Sequence, residues 1–354
     1  MTGVRGPFAG WIAIVACAAC GGGAAVTDAG LDVAQDEAVE PAEAVAETEA
    51  DSPGEVAVEL PDVALVAPTC DFHITRAGKD VTDTNDVPYL SKLTLVDASA
   101  AAPGDEIDGW SWTLTTVPAT NMQIFVPSPA TQNPTYAVNN VGYYEFALSV
   151  TTKFGLKTSC SHHVGVPAPA GCHIELTWTT PADPNPYDEC PPSQNCGSDM
   201  DLHFVSPGAS GCGDIDGDGE PDGFFDKTYD CFWWHADPVW DTKKCSPDCQ
   251  PHLDRDDTDT GGPEVIDWKV PTAGVCAKVG VHYFADHGFG RSYPTLAVWA
   301  NGQPLWSKTI DAGMKNLEMW EAGTVCCADG TFQEAKTAQG NPVVVPNYYC
   351  PDFR

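Results

Sequence analysis

The sequence predicts an all-β protein, an Ig-like sandwich followed by a second sandwich or jelly roll, carried on a disordered acidic tether. Apolar and polar residues alternate in short runs through residues 69–354, separated by clusters of Pro, Gly, Asn and Asp, which is the pattern of half-buried strands joined by turns. No helical run of convincing length interrupts them. The chain of 354 residues carries 15 cysteines, a load suited to an oxidising compartment where pairs act as staples. Its formal net charge of −33 argues against nucleic acid as a partner, because neutralising phosphates needs Lys and Arg, and makes cations the natural counter-ligand.

Residues 1–20 read as an export signal. Arg5 precedes the apolar run Phe8 to Ala16, far short of the roughly 20 residues that span a bilayer. Ile14, Val15 and Ala16 then lead into Cys17, the order of a bacterial lipoprotein signal in which the cysteine is acylated; Cys20, followed by three glycines, is the alternative. Neither cysteine is followed by Asp, so the lipid anchor is expected to place the chain at the outer membrane or cell surface. Residues 21–68 follow as a spacer. Twelve acidic residues fall between Asp28 and Asp62 with no Lys, Arg or aromatic residue, so like charges with little to bury stay extended.

Residues 69–167 form the first folded domain. Lys92 to Val96, Ile107 to Leu114, Met122 to Val126 and Tyr143 to Val150 alternate as strands of a β-sandwich. The Gly109–Trp112 stretch, the segment Pro127 to Thr135, and Val141 to Tyr144 leading into Leu148 to Val150, with Gly155 and Ser159 beyond, resemble a PKD domain. That resemblance implies a seven-stranded Ig-like module used as a spacer or for protein and sugar contacts. Cys70 and Cys160 pair if the first and last strands are neighbours.

Residues 168–354 open on the alternating strand His173 to Thr180 and continue through Asp199–Val205. Pro294 to Trp306 reads as two strands across the turn Asn301-Gly302, and Met314 to Trp320 and Thr324 to Tyr349 continue as edge strand and tail. This half is similar to uncharacterised bacterial lipoproteins that place such a domain after a PKD-like one. The motifs that carry the likeness are Leu176 to Pro181, Asp199 to His203, Asp230 to Trp233, Leu253 to Glu264 and Val279 to Gly290. The family implies no activity. The added cysteines Cys190, Cys196, Cys212, Cys245 and Cys249 depart from it and suggest extra stapling of loops.

Candidate site residues concentrate in this half. Asp214, Asp216, Asp218, Glu220, Asp222 and Asp226 alternate with glycines in a segment that repels itself unless a hard cation sits inside it, and Ca2+ accepts about six to eight oxygens in irregular geometry. An EF-hand would need Glu where Phe225 stands, so the loop resembles the calcium loops of thrombospondin type 3 repeats instead. A second acidic knot offers Asp254, Asp256, Asp257 and Asp259. Asp199 and Asp201 share one strand face with His203, so the three segments are expected to form one metal-binding pole; the competing reading makes Asp256, Asp257 and Thr258 turn caps.

The resulting expectation is a non-catalytic, calcium-stabilised surface lipoprotein that binds or adheres to a surface protein or a polysaccharide. One alternative is a carbohydrate or cell-wall module stacking sugars on Trp233 and Trp234, which cannot both face one side of a strand. The other is a metal-dependent hydrolase. It lacks H-E-x-x-H and G-x-S-x-G, and requires three or more of His203, His235, His252, His282 and His287 around an open cavity. Cys245, Cys249 and His252 have zinc-like spacing without a fourth ligand and read as disulfide-bonded.

Overall fold

The computed structural model describes residues 66–118, 124–185, 196–240 and 247–353. The signal, both acylation candidates Cys17 and Cys20, and the tether to residue 65 lie outside them. All described residues belong to one compact unit, Val63–Arg354. Its regular structure is β-strand, with two short 3-10 turns and no α-helix among the described residues.

The first sandwich contains β1 (Phe72–Arg76), β2 (Lys79–Asp80), β3 (Ser91–Asp97), β4 (Ile107–Thr116), β5 (Phe125–Val126), β6 (Thr135–Val138), β7 (Gly142–Thr152) and β8 (Lys157–Val166). One sheet runs β2-β1-β3-β6-β5 and the other β4-β7-β8, all antiparallel. Strand β7 shows why: Tyr144, Phe146, Leu148 and Val150 point inward at every second position and are fully buried. They meet Phe72, Leu93, Leu95 and Trp112, whose indole N–H donates to the Thr131 carbonyl at 2.9 Å. Cys70, just before β1, is bonded to Cys160 in β8, which joins the two sheets as the strand reading anticipates.

The second sandwich contains β9 (Cys172–Thr179), β10 (Asp199–Val205), β11 (Asp230–Cys231), β12 (His252–Arg255), β13 (Glu264–Trp268), β14 (Ala277–Ala285), β15 (Tyr293–Ala300), β16 (Gln303–Thr309), β17 (Met319–Cys326), β18 (Thr331–Glu334) and β19 (Val343–Val345). One sheet runs β12-β13-β9-β15-β16; the other runs β11-β10-β14-β17-β18, with β19 also paired to β17. Asn301 and Gly302 turn β15 into β16 with φ of 50° and 75°, the left-handed pair that such a hairpin needs. The expected edge strand is an interior one, a correction: β17 is flanked by β14 and β18, and its far end is fixed by the Cys276–Cys326 and Cys172–Cys327 disulfides. Cys212–Cys350 ties the C-terminal segment to the acidic loop, and Cys196 and Cys249 are disulfide-bonded as well. Cys231, buried in β11, is the free thiol among the described cysteines.

Strands β9 and β10 are buried on both faces, and each second face has its own covering. In β9, Ile174, Leu176 and Trp178 enter the core, whereas His173 and Glu175 face the first sandwich. His173 Nδ1 lies 2.5 Å from Asp267 and its Nε2 2.9 Å from Glu175, which also accepts the Val141 N–H at 2.7 Å; the Tyr89 hydroxyl bonds Asp254 and Asp267. Burial alone would lower the His173 pKa, but the hydrogen bonds and charges of Asp267 and Glu175 outweigh it and raise it to about 9. A folded pKa above the unfolded one stabilises fully below about pH 6.5, and that contribution disappears as pH rises through about 9. The melting temperature is therefore expected to decline across this window, and His173→Gln to flatten the decline; an unchanged slope in the variant would assign it to another group.

Candidate metal centres

In β10, Met200, Leu202 and Phe204 point into the core, and Asp199, Asp201 and His203 occupy the opposite face. That face is covered by the segment following β10 and by the C-terminal segment, whose Phe224, Phe225, Phe232, Tyr348 and Phe353 form a small core of their own. Gly280 in β14 makes this closure possible, because a Cβ there would stand 2.4 Å from the Phe224 ring.

The acidic loop winds around its own carboxylates. Asp214 accepts the N–H groups of Gly217 at 2.7 Å and Gly219 at 3.0 Å, Asp216 accepts from Asp218, Asp218 from Glu220, and Asp222 from Ile215. Gly217 and Gly219 supply the left-handed turns, with φ of 82° and 99°. As a result one oxygen each of Asp214, Asp216 and Asp218 falls within 4.8 Å of the others, and the same holds for Asp216, Asp222 and Glu321. Glu321 comes from β17, roughly a hundred residues away in sequence, and no local signal in the sequence points to it. Its Oε1 is buried without a hydrogen-bond partner. Burial, reinforced by Asp216, Asp222 and Asp218 against Lys278, raises the Glu321 carboxyl to about 7, and burial also raises Asp216. The chemistry is that of a hard, oxygen-only cage whose negative charge Lys278, with its Nζ 3.0 Å from the Asp222 carbonyl, offsets only in part.

Glu220 is exposed and stands outside this cage, as does Asp226. Asp226 holds a turn instead, accepting N–H groups from Ser210, Thr228 and Tyr229; burial pushes its carboxyl up, but those bonds bring it below its ordinary range.

The expected single pole is divided. Asp201 meets Asp256 and Glu264, again within 4.8 Å, and Glu264 crosses between the sheets to accept the Leu202 N–H at 2.6 Å. Asp199 lies beside them with Oδ1 buried and unpartnered, raised to about 9 by burial and by the charges of Asp201, Asp256, Asp257 and Asp259. Asp257 is a turn cap, accepting both the N–H and the hydroxyl of Thr260 and pairing with Arg255 at 2.8 Å. Asp254 belongs elsewhere: it bonds Tyr89 and pairs with His252 at 3.2 Å in the interdomain network.

Of the five histidines, His203 and His282 come together with ring centroids 6.3 Å apart. His252 Nδ1 is engaged by Asp237 at 2.6 Å and His287 Nδ1 by the Gly197 carbonyl at 2.7 Å, while His235 sits in the turn after β11. The three-histidine cluster required by the hydrolase reading is thus not formed by these residues. Trp234 is 60% exposed, whereas Trp233 is half-buried against the core and meets it edge to face at 5.6 Å, so the pair offers no shared stacking plane.

No family model and no curated protein matches the chain. Among solved structures it is similar to the PKD1 domain of Vibrio anguillarum Epp, at 15% identity over 29% of this chain and 98% of that domain, with a TM-score of 0.21. It is likewise similar to the PKD1 domain of the Vibrio cholerae metalloprotease PrtV, at 18% identity over 28% of this chain and 98% of that domain, also with a TM-score of 0.21.

Proposed function

We propose that the chain is an exported lipoprotein, anchored through Cys17 or Cys20 at the outer membrane or cell surface, whose PKD-like domain and C-terminal sandwich act as a non-catalytic, calcium-stabilised binding or adhesion module. Its partner is a surface protein or a polysaccharide. The disulfides fit export to an oxidising compartment. The observation that carries the calcium reading is the convergence of Asp216, Asp222 and Glu321, in which Glu321 arrives from a different strand, brings one carboxylate oxygen within 4.8 Å of theirs and leaves its Oε1 buried and unpartnered. A merely solvated acidic turn gives a half-buried carboxylate of the sheet beneath it no reason to face further carboxylates with only Lys278 to offset them, because desolvating an incompletely paired charge costs several kcal/mol.

Calorimetric titration of the chelator-treated full chain with Ca2+ tests this. Saturable binding is expected, weakened about tenfold or more in Glu321→Gln because ligand charge sets affinity in such sites. A wild-type chain that takes up no Ca2+ would end the calcium reading.

A further inference from the structure

We propose a second metal centre, separate in chemistry from the calcium loop: Asp201, His203 and His282 form a site for a divalent first-row transition ion such as Zn2+. The inference does not rest on the calcium reading. Asp201 and His203 stand two apart on β10, and His282 is the register partner of Asp201 on the adjacent β14, so one sheet face carries all three. One oxygen or nitrogen from each lies within 4.8 Å of the others, and the residues are 3%, 0% and 3% exposed.

The far sides of both rings decide which nitrogens face inward. His203 Nδ1 is 2.6 Å from an oxygen of Asp230, a fully buried carboxylate that also accepts the Phe225 N–H at 2.7 Å. A carboxylate accepts, so Nδ1 carries the proton and Nε2 keeps its lone pair; that Nε2 is buried without a hydrogen-bond partner. His282 Nε2 lies 3.1 Å from the Tyr348 carbonyl, which also only accepts, so its Nδ1 presents a lone pair, directed at Asp201 Oδ2 at 3.8 Å. Asp201 Oδ2 is itself buried and unpartnered. Two imidazole lone pairs and a carboxylate oxygen therefore face a common space, with outer acceptors fixing each ring, which is how metal-binding histidines are held.

A proton bridging Asp201 and His282 does not satisfy the arrangement, because 3.8 Å exceeds a hydrogen bond and His203 Nε2 stays unpaired. A cation satisfies Asp201 Oδ2 and His203 Nε2 together. Ca2+ takes oxygen ligands, whereas two imidazoles with one carboxylate suit zinc and its first-row neighbours. Aromatic rings wall the site, Phe225 at 4.5 Å and Phe232 at 5.0 Å from the His203 ring, and a narrow crevice lined by Phe284, Tyr348 and Phe353 reaches His282 as an entry path.

Cobalt(II) is the probe. The full chain, stripped with a strong chelator and given Co2+, is expected to bind one equivalent with visible ligand-field absorption that excess Ca2+ and Glu321→Gln leave unchanged. Replacing both His203→Gln and His282→Gln should abolish that absorption, and Asp230→Asn should weaken Co2+ binding about 10–100-fold by releasing the His203 ring. Should the double variant not fold, the wild type decides: its cobalt form is expected to show paramagnetically shifted N–H protons from two imidazoles. A wild-type chain that binds neither Co2+ nor Zn2+, cobalt without those two proton signals, or absorption that survives in a folded double variant overturns the proposal.

Discussion

Removing divalent cations from the folded chain is expected to lower its melting temperature by about 5–15 °C, and excess Ca2+ to restore it. The magnitude follows from linkage: a ligand present at about 100–1,000 times its dissociation constant stabilises the state that binds it by about 2.7–4.1 kcal/mol, and each kcal/mol is worth about 2–4 °C in a large domain. The sign follows from the cage. Asp214, Asp216, Asp218, Asp222 and Glu321 are held near one another by turn hydrogen bonds and by the packing of β17, so without a cation their repulsion is retained rather than relaxed. Glu321→Gln separates this from any nonspecific effect of chelator. With Ca2+ present the variant should melt lower than wild type because a ligand is lost; with Ca2+ removed it should melt at or above wild type because a buried charge is gone. Differential scanning fluorimetry in both buffers reads the crossing, and a variant that shifts the same way in both contradicts the cage.

The second large effect is expected from Cys212→Ala with Cys350→Ala. This disulfide links residues 138 apart and connects the start of the acidic loop to the C-terminal segment that covers β10. Native disulfides are worth about 2–5 kcal/mol. The lower part of that range applies here, because Cys276–Cys326 already closes a loop inside this one and Cys172–Cys327 closes a loop that overlaps it. The loss should also have a location. Tyr348 and Phe353 pack on Phe225 through ring contacts of 6.2 and 5.5 Å, so the last segment, no longer tethered, should become the first site of proteolysis. Unchanged melting and an unchanged cleavage pattern would mean that the aromatic packing alone holds the segment.

What the sequence revealed and what it concealed have physical reasons. Alternation located β3, β4, β7, β9 and β10 because each buries one apolar face, and Asn301-Gly302 located a hairpin because few residues accept two left-handed positions. The loop is legible as far as its carboxylates are local: Asp214, Asp216 and Asp218 draw together, and Asp216 and Asp222 meet beside Glu321. Glu321 was not, since nothing in Trp320 to Ala322 distinguishes a carboxylate under a loop from one in solvent. The single acidic pole failed at β12. A register shift between Leu253 and Arg255 divides the knot, leaving Asp254 with Tyr89 in the interdomain network while Asp256 joins Asp201 and Glu264. The histidine pair was hidden for a similar reason: His203 and His282 are nearly eighty residues apart, and antiparallel pairing of β10 with β14 makes them neighbours.

Elemental analysis of the purified full chain after gel filtration in calcium-free buffer tests most directly whether divalent ions hold the acidic loops together. At least one calcium per chain, removed only by chelator and with it part of the thermal stability, is the expected result. A chain free of divalent metal that melts at the same temperature with and without added Ca2+ would contradict it.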